Sequence, residues 1–324
     1  MTGRRWRLFA GIASAAAVFC AGIILGLPFS SRAQQPVKPA AAAAAPTDSN
    51  YVGAEVCKSC HDEAFSKFSK TKMGRLFLHQ ARSPKEANAC ESCHGPGKAH
   101  VDAGGGKGKG GLITFAKNDK TPVEKRNEVC LGCHTKGARL FWQGSAHESR
   151  DVACTNCHKI MEQVSTKAQL AKETEIETCG TCHPQKRAQT MRSSHMPLRE
   201  GKMTCTSCHN PHGTVSESLL KENGLNETCY LCHPEKRGPV LWTHPPVQEN
   251  CANCHDPHGS NHEKMLKVAK PRLCQQCHMP GPHGSFPKPK GDTTQLQFVQ
   301  GRQCVQCHQL IHGSNHPGGQ FFTR

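Results

Sequence analysis

Large ring side chains are scarce in this 324-residue chain. Aromatic residues make up 5% of it, and tyrosine is represented by Tyr51 and Tyr230 alone, against 30 glycines and 21 prolines. That composition excludes a side-chain core of ordinary size, and something other than aromatic and aliphatic packing has to fill the interior. Long apolar runs are also missing after the first 33 residues. The chain beyond that point should therefore be water-soluble when alone. Acidic residues are in deficit, 25 against 41 Lys and Arg, for a formal charge of +16. Such an excess is the usual footprint of a nucleic-acid binder, a reading taken up again below. Finally, Gly104-Gly-Gly-Lys-Gly-Lys-Gly-Gly111 lacks the Gly-Lys-Ser/Thr ending of a phosphate loop. It reads as a solvated, flexible insertion within 95–120.

What the chain has in abundance is cysteine, 21 residues, and 20 of them fall into ten copies of Cys-x-x-Cys-His. In order these are Cys57, Cys60, His61; Cys90, Cys93, His94; Cys130, Cys133, His134; Cys154, Cys157, His158; and Cys179, Cys182, His183. Then follow Cys205, Cys208, His209; Cys229, Cys232, His233; Cys251, Cys254, His255; Cys274, Cys277, His278; and Cys304, Cys307, His308. Positions i, i+3 and i+4 share a face on one helical turn. Two thiols so placed can form thioethers to the two vinyl groups on one haem edge, and the next residue binds the iron beneath as an axial ligand. Zinc ribbons, a thioredoxin-like pair and a disulfide scaffold would each use the cysteines. None of them explains a histidine after the second cysteine ten times in ten. The expected cofactors are ten covalently bound haem c groups. About 29 residues remain per haem, so the haems themselves must form the hydrophobic interior.

Haem also resolves the charge. Without Arg4, Arg5, Arg7 and Arg32 the formal excess falls to about +12, and 20 propionates with ten ferric cores bring it to about +2, or about −8 when reduced. The basic residues mostly balance propionates, and nucleic acid is excluded as a partner. Arg4, Arg5 and Arg7, the apolar stretch Leu8–Leu27 and Ser31-Arg32-Ala33 read as a signal peptide over 1–33. Its 20 apolar residues are also long enough for an uncleaved anchor. Cys20 should leave with the signal, and 34–50, rich in Ala, Pro and Gln, reads as a flexible tether.

The motifs repeat in pairs. Glu177–Arg187 aligns with Glu227–Arg237 at an offset of 50, and Cys205–Gly213 with Cys251–Gly259 at 46. Five pairs begin at Cys57, Cys130, Cys179, Cys229 and Cys274. A quasi-linear haem array is the natural product, with its poles at the Cys57 and Cys304 sites. The expected fold is short helices and irregular loops with almost no sheet. Helical patterns over Glu63–Leu78 and Met161–Thr178 are local.

Eleven further histidines compete for ten sixth positions: His79, His100, His147, His195, His212, His244, His258, His262, His283, His312 and His316. At offset 46 His258 aligns with His212 and His262 with Ser216, so His262 is the expected spare and the other ten the distal ligands. The methionines show no regular placement and read as packing residues.

Gly111-Leu-Ile-Thr-Phe-Ala-Lys117, Arg192-Ser-Ser-His-Met-Pro197, Glu235-Lys-Arg-Gly-Pro-Val-Leu-Trp242, Leu273-Cys-Gln-Gln-Cys-His278 and Ile311-His-Gly-Ser-Asn-His-Pro317 resemble the periplasmic decahaem cytochromes of the DmsE/MtrA/PioA–MtoA family, over about residues 51–324. The resemblance implies two tandem pentahaem halves, 51–195 and 196–324, with bis-histidine haems in a wire. It also implies a periplasmic location at the outer membrane. The implied partners are an outer-membrane β-barrel, an extracellular multihaem cytochrome, and inner-membrane or periplasmic cytochromes. Either direction of electron flow is compatible. A diffusible carrier or reductase subunit is the alternative. An enzyme is not expected, since every proximal ligand is His and spare histidines suffice for every iron.

Overall fold

The computed structural model describes residues 48–116, 120–278 and 303–323. The expected signal peptide, Cys20 and most of the tether lie outside them, as do Met279 and His283. The described residues belong to one compact unit spanning Ala40–Arg324. Among them no helix is long and apolar enough to cross a membrane.

The fold is a string of short helices joined by turns, with isolated bridges and no strand among the described residues. The longest helix among the described residues, Val123–Leu131, has 9 residues. Helices this short are marginal alone and depend on caps and docking. The helix Lys72–His79 starts at Thr71, whose side chain accepts from Gly74 N. Thr71 is fully buried and its hydroxyl donates to Phe68 O at 2.8 Å. Thr174 and Glu177 form a reciprocal capping box ahead of Glu175–Gly180. Prolines open Pro184–Thr190 and Pro245–Glu249, where the missing N–H costs no hydrogen bond.

The buried apolar side chains among the described residues are only Phe68, Ala89, Trp142, Ala153, Leu220 and Leu266. This agrees with the composition: protein atoms alone make almost no core.

Two kinds of motif alternate. The first of each pair sits at the C-terminal end of a helix, as in Ala54–Cys60, Val123–Leu131, Glu175–Gly180 and Leu225–Tyr230. The second occupies a single helical turn, as in Cys154–Cys157, Cys205–Cys208 and Cys251–Asn253. A return loop then leads back to the proximal histidine, giving the bridges His158–Leu170, His209–Leu220 and His255–Leu266. Here the helical pattern over Met161–Thr178 fails. Residues 161–174 form the return loop, with Ala168 and Gln169 at positive φ, and helix begins only at Glu175. Hydrogen bonds from Lys159 N to Gln169 O and from Ala171 N to Cys157 O hold the loop. These tertiary contacts override local propensity.

Candidate functional site

Successive motifs touch in an alternating order. The first cysteines of the two motifs in each pair lie side by side: Cys57 with Cys90, Cys130 with Cys154, Cys179 with Cys205, Cys229 with Cys251 and Cys274 with Cys304. Between pairs the second cysteine of one motif comes close to the next motif: Cys93 to Cys130 and Cys133, Cys157 to Cys182, Cys208 to Cys232 and Cys254 to Cys277. The ten motifs thus stand in single file from Cys57 to Cys304. In the unattached chain each contact raises a thiol. Cys90 beside it, then burial, pushes Cys57 up. Burial, then Cys251, pushes Cys229 up to about 12.

One polar side chain ties the two motifs of each of the first four pairs. The Glu91 carboxylate accepts from Val52 N at 3.0 Å, Gly53 N at 2.8 Å and Gly97 N at 2.7 Å. Asn127 accepts from Cys154 N at 2.9 Å and donates to Val152 O at 3.1 Å. Asn226 repeats this with Cys251 N at 2.7 Å and Val247 O at 3.0 Å. Glu175 accepts from Thr206 N at 3.0 Å and Thr206 Oγ1 at 2.9 Å, with Lys167 Nζ at 2.6 Å. These four clasps went unnoticed in the sequence. A signal was available: Asn127 and Asn226 each stand three residues before the first cysteine of a pair.

Burial alone would push the Glu175 carboxyl up, but Lys167 and Thr206 outweigh it and hold the pKa below the usual carboxylate range. The depressed folded-state value contributes stability above the unfolded carboxylate range, and that contribution disappears as pH falls through the folded value. Acid titration followed by circular dichroism should show Glu175→Gln already weakened at neutral pH and less sensitive to acid than the parent. Removing the Asn226 clasp by Asn226→Ala should cost on the order of 1–3 kcal/mol, because Cys251 N–H loses its acceptor. A thermal melt checks this.

The histidines come together as stacked or tilted pairs. Ring centroids are 6.3 Å apart for His61 and His100, 6.0 Å for His158 and His212, and 6.2 Å for His147 and His183. They are 6.2 Å apart for His209 and His258, 6.3 Å for His255 and His312, and 6.1 Å for His244 and His278. Two metal–nitrogen bonds of about 2.0 Å, each with about 1.1 Å from nitrogen to ring centre, require about 6.2 Å across one iron. The six pairs therefore fit a bis-imidazole haem.

Their tautomers fit as well. Nδ1 of His158, His209 and His255 lies 2.8 Å from the carbonyls of Ala168, Ser218 and Lys264. His94 meets Ile113 O at 2.8 Å, His147 meets Pro211 O at 2.7 Å and His100 meets Lys109 O at 3.0 Å. A carbonyl only accepts, so Nδ1 carries the proton and Nε2 keeps its lone pair for iron. Burial, with nearby positive charge, pushes His212 down to about 4 and lowers His258 and His312, which favours the neutral ring that a ligand needs.

The glycine-rich insertion has a part in this geometry. Gly110, at φ 74°, packs so closely on His100 that a Cβ would lie 2.3 Å from His100 N. Only glycine permits that approach, and through it Lys109 O reaches the His100 ring.

The remaining candidates are placed differently. His195 Nδ1 meets Arg192 O at 2.8 Å, with Arg199 and Glu200 around Nε2. His316 Nδ1 accepts from Gly318 N at 3.0 Å, which leaves the proton on Nε2. His262 N donates to Ser260 Oγ at 3.0 Å, and the residue lines a small cleft with Glu263, Lys270 and Gln303. His79 closes the helix Lys72–His79.

Cysteine pairs in single file, with neutral imidazoles facing each other at iron-spanning distance, define a multihaem c-type cytochrome. The family described as doubled CXXCH motif matches residues 195–238 and 244–288, and that of cytochrome c-type protein NrfB-like matches 90–182. The multiheme cytochrome MtrA of Shewanella baltica (strain OS185) is 42% identical over 280 residues, 84% of this chain and 81% of that protein. The chain belongs to the MtrA-like multihaem cytochromes: an electron-transfer protein carrying covalently bound haem c.

Proposed function

We propose that the chain is a decahaem conduit that carries electrons across the outer membrane. The observation that carries this reading is the unbroken file of ten motifs, with thioether edges adjoining at every step. Haem supplies reversible one-electron Fe(III)/Fe(II) chemistry. The chain's own residues set its geometry: the cysteines fix the spacing, the Nδ1–H donors of His94, His100, His147, His158, His209 and His255 aim their Nε2 atoms, and the four clasps hold the first four pairs in register. Ten covalent haems are held by Cys57, Cys60, Cys90, Cys93, Cys130, Cys133, Cys154, Cys157, Cys179, Cys182, Cys205, Cys208, Cys229, Cys232, Cys251, Cys254, Cys274, Cys277, Cys304 and Cys307. Electrons enter and leave at opposite poles, near Cys57 and Cys304.

The protein is exported to the periplasm and inserts in a porin-like β-barrel, meeting periplasmic or inner-membrane cytochromes on one side and an extracellular multihaem cytochrome on the other. It performs no catalysis of its own. A single file with exposed poles suits through-transfer better than the isolated active site that an enzyme needs.

The test is purification of the native complex with mass spectrometry. The expected result is a mature polypeptide carrying ten haems and co-purifying with a large outer-membrane barrel. A ten-haem protein found only free in the periplasm would favour the diffusible carrier. A smaller haem count would break the file and the proposal.

A further inference from the structure

The four clasps hold their pairs in the same way but differ in charge. Asn127 and Asn226 are neutral amides, each with an acceptor and a donor in use. Glu175 is an acid, but Lys167 Nζ lies 2.6 Å from it and balances its charge. The two act on Cys205 with opposite sign. Glu91 has no such counter-charge. Its partners are the backbone N–H groups of Val52, Gly53 and Gly97. Among the described residues no Lys, Arg or His forms an ion pair with it.

That carboxylate is enclosed. Glu91 is 4% exposed, and a Cβ added at Gly97 would lie 3.0 Å from both Glu91 Oε1 and Val52 Cγ2. It also stands between the two attachment sites of the first pair. Glu91 follows Cys90 directly in the second motif. Gly53 N donates to Glu91 Oε2, and in the unattached chain Gly53 O accepts from Cys57 Sγ at 3.4 Å. The carboxylate accordingly acts on both Cys57 and Cys90. Lys85 acts at Cys93 instead, on the side facing the third motif. A buried charge is screened by water and salt far less than one at the surface.

Resting on the ten-site reading, we propose that Glu91 sets the potential of the first haem pair: its buried carboxylate, with no cation beside it, lowers the reduction potentials of the haems held at Cys57 and Cys90. Adding one electron takes ferric iron to ferrous and removes one positive charge, so a fixed negative charge nearby favours the ferric form. The carboxylate is not a reactant. No bond forms or breaks, and one electron passes from a ferrous haem to its ferric neighbour. Register alone does not call for an acid, since Asn127 and Asn226 clasp their pairs with neutral amides. The charge of Glu91 adds a tilt to the file. It favours passage from the first pair into the second and opposes the reverse.

The test is potentiometric titration of the purified holoprotein, followed by ferrous haem absorbance, with the haems counted by mass on the same sample. In Glu91→Gln about one-fifth of the haem should move to higher potential while the rest titrates as in the parent. The ferrous-to-ferric ratio of that fifth should rise about tenfold at fixed potential, about 59 mV for one electron. Asn127→Asp puts a charge into a neutral clasp and should move about one-fifth of the haem to lower potential. Lys167→Gln should do the same for the third pair by leaving Glu175 without its cation. These two variants test the charge even where Glu91→Gln fails to assemble ten haems. A parent-like titration in ten-haem Glu91→Gln, or an unmoved titration in both Asn127→Asp and Lys167→Gln, would overturn the proposal. Fewer than ten haems in the parent would instead defeat the conduit.

Discussion

His258→Ala should convert about one-tenth of the haem from low-spin to a five-coordinate or water-bound form, while His262→Ser should leave the spin state untouched. The two residues are four apart and both follow the eighth motif, so sequence distance to an iron does not separate them. Their surroundings do. The His258 ring stacks on His209 with centroids 6.2 Å apart and planes 12° apart. Burial lowers its pKa, and Asp256 Oδ1 sits 3.7 Å from Nδ1, a partner that favours the proton there and the lone pair on Nε2. His262 instead lines a cleft beside Glu263 and Lys270. Low-temperature EPR on the two variants is the measurement. A high-spin signal from His262→Ser with none from His258→Ala would reverse the assignment. The affected haem should be the sixth, since His209 is its proximal ligand, although His258 follows the eighth motif in the chain.

That last point marks the limit of what sequence can reveal here. The Cys-x-x-Cys-His spacing is a local, covalent requirement, and all ten copies are legible because each is complete within five residues. The pair repeat is legible for the same reason. The sixth ligands are long-range: His212 is 54 positions from His158, and nothing in the intervening chain encodes which loop folds over which iron. The offset alignment compares equivalent positions, so it separates His258 from His262 without saying which haem either one reaches. The helical pattern at Met161–Thr178 misled for a related reason. Its periodicity is real, but Lys159 N and Ala171 N donate their hydrogen bonds across the loop, and a segment that must close back on a proximal histidine has no freedom to be helix. Glycine content alone suggests mobility, whereas Gly110 is required by its close approach to His100.

Removing one rung from the middle of the file should cost far more than one-tenth of the function. The variant is Cys205→Ala with Cys208→Ala, which deletes the sixth attachment and is expected to leave nine haems by mass. Cys205 lies beside Cys179 of the fifth site, and Cys208 beside Cys232 of the seventh. No other cysteine contact bridges those two, because among the described residues the cysteine contacts run from each site to the next. In a three-dimensional cluster, electrons would route around a missing member and the loss would be proportional. In single file they must cross the gap in one step, and misplacing the partners of a transfer by even about 1 Å is enough for a hundredfold effect in other site-to-site chemistry. Transfer through the barrel-bound complex in liposomes, with reductant outside and a trapped oxidant inside, should fall by at least about a hundredfold. Rapid reduction of the haems on the donor's side should persist. The nine-haem mass and a retained barrel complex separate a broken wire from a misfolded protein. A loss of only about one-tenth in a correctly assembled nine-haem complex would mean that electrons have a second path, and the single file would not be the conduit.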